Sequence, residues 1–410
     1  MSNWTSRDKV LKFLDYYSSD VKDQIDSGKT RQPLLKSYIF ETFNADILEE
    51  TSNQELSAFN MTELMRSDEY APIQIDEQFY YLLRGGETVG FIEEINNRFS
   101  ILYSIDAANR SDKYTSSLVK HSTILDSLWI SGIMFDGFLN KKIQLDHPNR
   151  YIKMKFEYDS FFEGNHFRKG FKKLNDDDET TFEEHRVSST TLVEVASEIV
   201  EKISGVRELL PSFHSVGLLR FPNKLGKGGH EFYQNGKVTN RSDSFLDHRN
   251  QIIETVGAYQ TITEHIEKTA WVNFETIRST DISNSLSFSG SPVTIRFSKP
   301  LRDGLFSNFV NGIFEKGKEP FRILGKPIWV DENRAHIYGI DLHLWQKVMI
   351  DLSREQFTIF IPRGTCGNTI HRLVTNIQRY LDPRIRVYIG NMDYKRIIEQ
   401  VIEEGDEFDK

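Results

Sequence analysis

The sequence predicts an α+β fold: a helical N-terminal region with a β-meander, then a mixed-sheet α/β C-terminal domain containing a β-loop-α-β unit. Three observations predict it. Val10, Leu11, Leu14, Tyr17 and Val21 recur at helical spacing in a 1–67 region read as helical. Residues 78–105 divide into short apolar runs at Arg84-Gly85-Gly86-Glu87 and Asn96-Asn97, where glycine supplies the positive φ of a hairpin turn. Residues 356–389 read as strand, loop, helix and strand in close succession.

The elements follow in order. Ser6 is placed to cap the first helix. Residues 112–140 return to helix. Residues 151–158 alternate, with Ile152, Met154 and Phe156 against Lys153, Lys155 and Glu157, as a half-buried strand does. Residues 166–186 carry Asp176-Asp177-Asp178-Glu179 and read as an acidic linker without the spacing of a calcium loop. A helix is expected over 191–210, ending at Pro211, and another from Ser244 with Ile252, Val256, Tyr259, Thr263 and Ile266 down one side. Asn235-Gly236 predicts a hairpin between 231–234 and 237–240. Further on come a strand at 293–298, a helix from Asp303 and short strands near 328–330 and 335–341. A hairpin of 347–352 with 357–361, a helix over 368–381, a strand at 384–389 and a last helix near 392–403 complete the chain. The domains expected are 1–165, 187–290 with the basic hairpin, and 291–410.

Composition limits the function classes. The chain has 410 residues, 38% hydrophobic and 27% charged, which excludes collagen-like and disordered classes. No apolar run approaches the roughly 18 residues of a membrane span, and residues 1–8 have no signal core. One cysteine, Cys366, excludes an internal disulfide and a multi-cysteine zinc site. The expectation is a cytoplasmic protein with no cofactor, no metal and no membrane partner.

The net charge of −9 is uneven. Residues 1–200 carry 23 Lys+Arg and 34 Asp+Glu, whereas residues 201–400 carry 27 and 21. Two segments concentrate the cations. Residues 219–241 hold Arg220, Lys224, Lys227, Lys237 and Arg241 against Glu231 alone, with His230, four glycines and the aromatics Phe221, Phe232 and Tyr233. That mixture suits contact with phosphates and stacking on bases. His230-Glu231 and Asp247-His248-Arg249 are candidate acid–base groups, and Asp341 and His343 stand two apart at a strand end.

The second segment is the loop 362–367 and the helix after it. A helix N-terminus presents unpaired N–H groups and the positive dipole end, so it attracts anions. Gly364 and Gly367 allow close backbone approach, and Asn368 and Thr369 add donors. His371, Thr375 and Arg379 align at i, i+4 and i+8, with Arg372 one step round, on the side expected to face solvent. With Arg363, these residues form the candidate phosphate site. The loop matches neither common nucleotide-binding glycine motif. Cys366 and Arg372 have the C-x5-R spacing, which resembles the phosphate-binding loop of cysteine-dependent phosphatases, where a thiolate attacks phosphorus and the arginine holds the oxygens. It departs from that loop at Thr365, Gly367 and Leu373.

The function expected is phosphate or nucleic-acid binding by a non-catalytic component of a larger intracellular assembly, with nucleic acid or another polyanion and a protein as partners. The alternatives are a phosphoesterase or nuclease and an interaction scaffold. A role in prokaryotic genome defence is an expectation that no residue carries.

Overall fold

The computed structural model describes residues 4–29, 32–42, 61–163, 187–224, 226, 228–278 and 284–408. The acidic linker 166–186 and Lys227 lie outside them. The described residues form two large sheets with helices around and between them, an α+β fold.

Helix α1 (Arg7–Asp26) packs against the core with Val10, Leu14 and Val21. Strand β1 (Lys36–Glu41) follows, where helix was expected. Every residue of β1 is buried, so the alternation that would mark a strand is absent. The meander is present as β2 (Tyr70–Asp76), β3 (Phe79–Arg84), β4 (Glu87–Glu94) and β5 (Phe99–Ser104). Gly85 and Gly86 both have positive φ at the β3–β4 turn, as the sequence implies. The region expected as one helix over 112–140 divides into α2 (Ala108–His121), a two-residue strand β6 (Asp126–Ser127) and α3 (Gly132–Phe138). Strand β7 (Tyr151–Asp159) precedes β8 (Val187–Val195), and α4 (Ala196–Leu209) starts five residues later than expected. The β-branched stretch Val187, Thr190, Thr191, Val193 pairs along β7 instead of coiling. β9 (Val216–Pro222), β10 (Gly229–Tyr233) and β11 (Lys237–Asn240) complete the first sheet. Gly236, at φ 74°, makes the β10–β11 turn where a Cβ would stand 2.8 Å from the Leu128 carbonyl.

The first sheet runs β2-β3-β4-β5-β1-β11-β10-β9-β7-β8, with β6 paired to β1. It therefore takes strands from both the 1–165 and the 187–290 stretches. Helix α5 (Phe245–Ala270) is capped by the Ser244 hydroxyl, which accepts from the Asp247 N–H, and it lays Ile252, Val256, Tyr259, Ile262 and Ile266 into the core.

The second sheet contains β12 (Trp271–Arg278), β13 (Asn284–Ser289), β14 (Val293–Arg296), β15 (Ile323–Asp331), β16 (Arg334–Asp341), β17 (Gln346–Ser353), β18 (Gln356–Pro362), β19 (Arg386–Ile389) and β20 (Met392–Asp393). Helices α6 (Asp303–Ile313), α7 (Asn368–Tyr380) and α8 (Tyr394–Phe408) accompany it. The β18–α7–β19 unit is the predicted β-loop-α-β. Its two strands run parallel with β14 between them, antiparallel to both. One apolar core extends from Val10 to Ile402 and draws on both sheets. A smaller core under α2, with Tyr38, Phe40, Leu102 and Leu118, covers part of the outer face of the first sheet. No helix among the described residues is long and apolar enough to cross a membrane.

Candidate polyanion-binding face

Helix α7 does not present its polar side to water. Ile370, Leu373, Val374 and Ile377 enter the apolar core, as their spacing predicts, yet every residue from Asn368 to Gln378 is buried. The polar side meets a second set of polar groups from α5, β6 and β16. The Gly367 N–H at the helix start donates to Glu267 Oε1 at 2.7 Å, so a carboxylate of α5 occupies the position an anion would take. Arg98 donates to that same Glu267 at 2.6 Å and to Glu41 at 2.6 Å. Gly367 has an ordinary φ of −64°, and its hydrogen is required by packing: a Cβ would lie 2.7 Å from Thr263 Cγ2 and 3.0 Å from the Thr263 carbonyl. Gly364, at φ 91°, makes the strand-to-helix turn.

Arg372 is fully buried between two aspartates. It donates to Asp126, to both oxygens of Asp341 at 2.6 Å, and to the Phe321 carbonyl. Thr369 donates to Asp341, and Asn368 donates to the Ser127 carbonyl while accepting from Tyr259. His371 is held between Thr263 and Tyr394, and burial, then the charge of Arg98, lowers it to about 3. His343 bonds through its ring to the Ile124 carbonyl and through its backbone N–H to Asp341, and burial lowers it to about 4. Cys366 is buried and donates to Glu41 at 3.2 Å; burial and that carboxylate push its thiol far up. It has neither the thiolate nor the access that a phosphatase nucleophile needs. Arg363 is exposed on the loop. The expectation of a solvent-facing row therefore holds for Arg379 alone, whose side chain is 22% exposed.

The acid–base candidates of the first sheet form a buried chain. Ser37 Oγ lies 2.8 Å from His248 Nε2, His248 Nδ1 lies 3.1 Å from His230 Nδ1, and His230 Nε2 lies 3.0 Å from Asp247. One assignment of hydrogens satisfies every link: Ser37 donates to His248, His248 to His230, and His230 to the carboxylate. Burial, and then His230, keeps His248 neutral. Ser37, His230 and His248 are all 0% exposed, so the chain joins β1, β10 and α5 from inside and offers no open nucleophile.

Arg220, Lys237 and Arg241 of the basic segment stand on the opposite side of β10. Alternation puts Glu231 on the outer face, and Arg220 stands across from it on β9. Arg220 donates to Glu231 at 2.6 Å, Lys153 of β7 at 3.0 Å and Arg241 at 3.1 Å. Burial raises the Glu231 carboxyl, but the hydrogen bond from Arg220, the charge of Arg241 and the hydrogen bond from Lys153 outweigh it and bring the group down to about 2. Lys237, two residues along β11 from the partner of Glu231, pairs with Asp112 and lies 5.6 Å from the ring centre of Tyr233. At the far end of β7, Lys155 pairs with Glu157, and Glu157 with Arg379. Thus Arg379 of the second basic segment reaches the same face, while Lys224 pairs with Glu254. Six cations (Lys153, Lys155, Arg220, Lys237, Arg241, Arg379) face three carboxylates (Glu157, Glu231, Asp112).

Comparison with known proteins adds kinship. The family model of MJECL33-like proteins matches residues 2–396. The chain belongs to this family. It is similar to the protein MJECL33 of Methanocaldococcus jannaschii, 25% identical over 407 residues that cover 92% of each chain. No solved structure matches the chain.

Family membership spans nearly the whole fold, so both sheets belong to it. Sequence reasoning did not place Lys153 and Lys155 in the site. Their signal was available: two lysines at alternate positions of a half-buried strand must share a face.

Proposed function

We propose that this chain binds a polyanion, nucleic acid foremost, on the outer face of the first sheet around Glu231, as a non-catalytic component of a larger assembly. One observation carries the reading. Three cations from separate segments surround a single buried carboxylate, which leaves two positive charges uncompensated on partly exposed side chains: Lys153 is 26%, Arg220 27% and Arg241 42% exposed. Glu231 preorganises them, and phosphates supply the missing negative charge. The phosphate site expected at α7 is replaced in this reading, because internal carboxylates fill it. A protein partner is supported by the second sheet, whose outer face exposes Tyr338 and Met349 side by side.

The test is a titration of labelled nucleic acid at rising salt. Binding should weaken linearly in a log–log plot, and Arg241→Ala should reduce the slope by about 1. The fold should survive, since Arg220 and Lys153 still pair with Glu231. Absence of binding, or indifference to salt, would refute the proposal.

A further inference from the structure

We infer that the polyanion received by this face is a single-stranded nucleic acid. The inference rests on the reading above and adds the form of the strand. Apart from Arg379 on α7, the cations are carried on the strands of the sheet and the segment after β11, not on a helix or ribbon that projects into a groove, as duplex readout requires. Those on the strands are partly recessed into the sheet: the Lys237 side chain is 16% exposed, Lys153 26% and Arg220 27%. A flat, partly recessed face suits a flexible strand that lies along it.

Such a strand also needs surfaces for its bases, and the same face provides them. Tyr151, two residues before Lys153 on β7, is 67% exposed. Val193 of β8, opposite Lys153, is 55% exposed. Tyr233 lies across β9 with Lys237 against its ring. Thr191, paired with Lys155, adds an exposed hydroxyl at the edge. The exposed Tyr151 and Val193, with the half-buried Tyr233, stand among cations as a stacking platform that holds bases without selecting sequence.

The experiment is fluorescence anisotropy with labelled oligothymidylate, its ribo-counterpart oligouridylate, and a DNA duplex of equal length, all at low salt. Either single strand should bind about tenfold or more tighter than the duplex. Tyr151→Ala should weaken single-strand binding by about 5- to 100-fold, the loss of one stacked base, and leave duplex and heparin binding unchanged. Tyr151 is exposed, so the variant keeps its fold. Equal or tighter binding of duplex, or single-strand binding unmoved by Tyr151→Ala, would overturn the inference while the polyanion reading stands. No binding of strand, duplex or heparin would overturn both.

Discussion

Arg372 shows how one side chain turns a ligand-like pattern into a fixture of the fold. Its charge is matched by Asp126 of β6 and Asp341 of β16, both 0% exposed. Removing one member of a buried set leaves the others unpaired in a medium of low dielectric. Arg372→Ala should therefore lower stability by about 3–5 kcal/mol, read from urea melts; a loss below about 1 kcal/mol would show the cluster to be hydrated. The buried histidines give a second prediction. His248 and His343 are neutral in the fold because burial lowers them, as is His371, while in the unfolded chain they titrate near about 6.5. Below that pH the unfolded state holds three protons more. Stability should be independent of them above it and fall by about 4 kcal/mol per pH unit below it, until the native values are reached. Chemical melts between pH 7 and pH 5 check this, and coincident curves would contradict it.

At the scale of elements, the periodic segments were legible and the buried ones were not. The stripe of α7, the cap of α5 and the glycine turns at 85–86 and 235–236 follow directly from the sequence. β1 escaped because a strand buried on both faces has no alternation to read. The polar side of α7 was misplaced for a related reason. Charged residues at helical spacing look the same whether water or an opposed carboxylate receives them, and Asp126, Glu267 and Asp341 are distant in sequence. Gly367 makes the packing explicit: α5 approaches so closely that Gly367→Ala should cost about 1–3 kcal/mol, through a clash with a backbone carbonyl that cannot yield. An unchanged melting temperature would mean that the two helices separate at little cost.

For the whole molecule, the division of charge acquires a meaning the linear count lacks. An acidic group from the first half does neutralise arginines of the second, Asp126 with Arg372 and Arg322, but it does so inside the joint between the sheets. Six cations gather outside instead, on β7, β9, β11, the segment after β11 and the end of α7. Of the residues expected at the nucleic-acid site, Arg220, Lys237 and Arg241 are there; those expected at α7 and its loop, Arg363 and Arg379 excepted, are buried. The most direct measurement compares nucleic-acid affinity at low salt for Lys155→Glu combined with Arg241→Glu against Arg334→Glu on β16. The account predicts a loss of about tenfold or more for the first pair and no more than about a twofold change for the second. Equal losses, or a loss confined to Arg334→Glu, would place the binding surface elsewhere on the molecule.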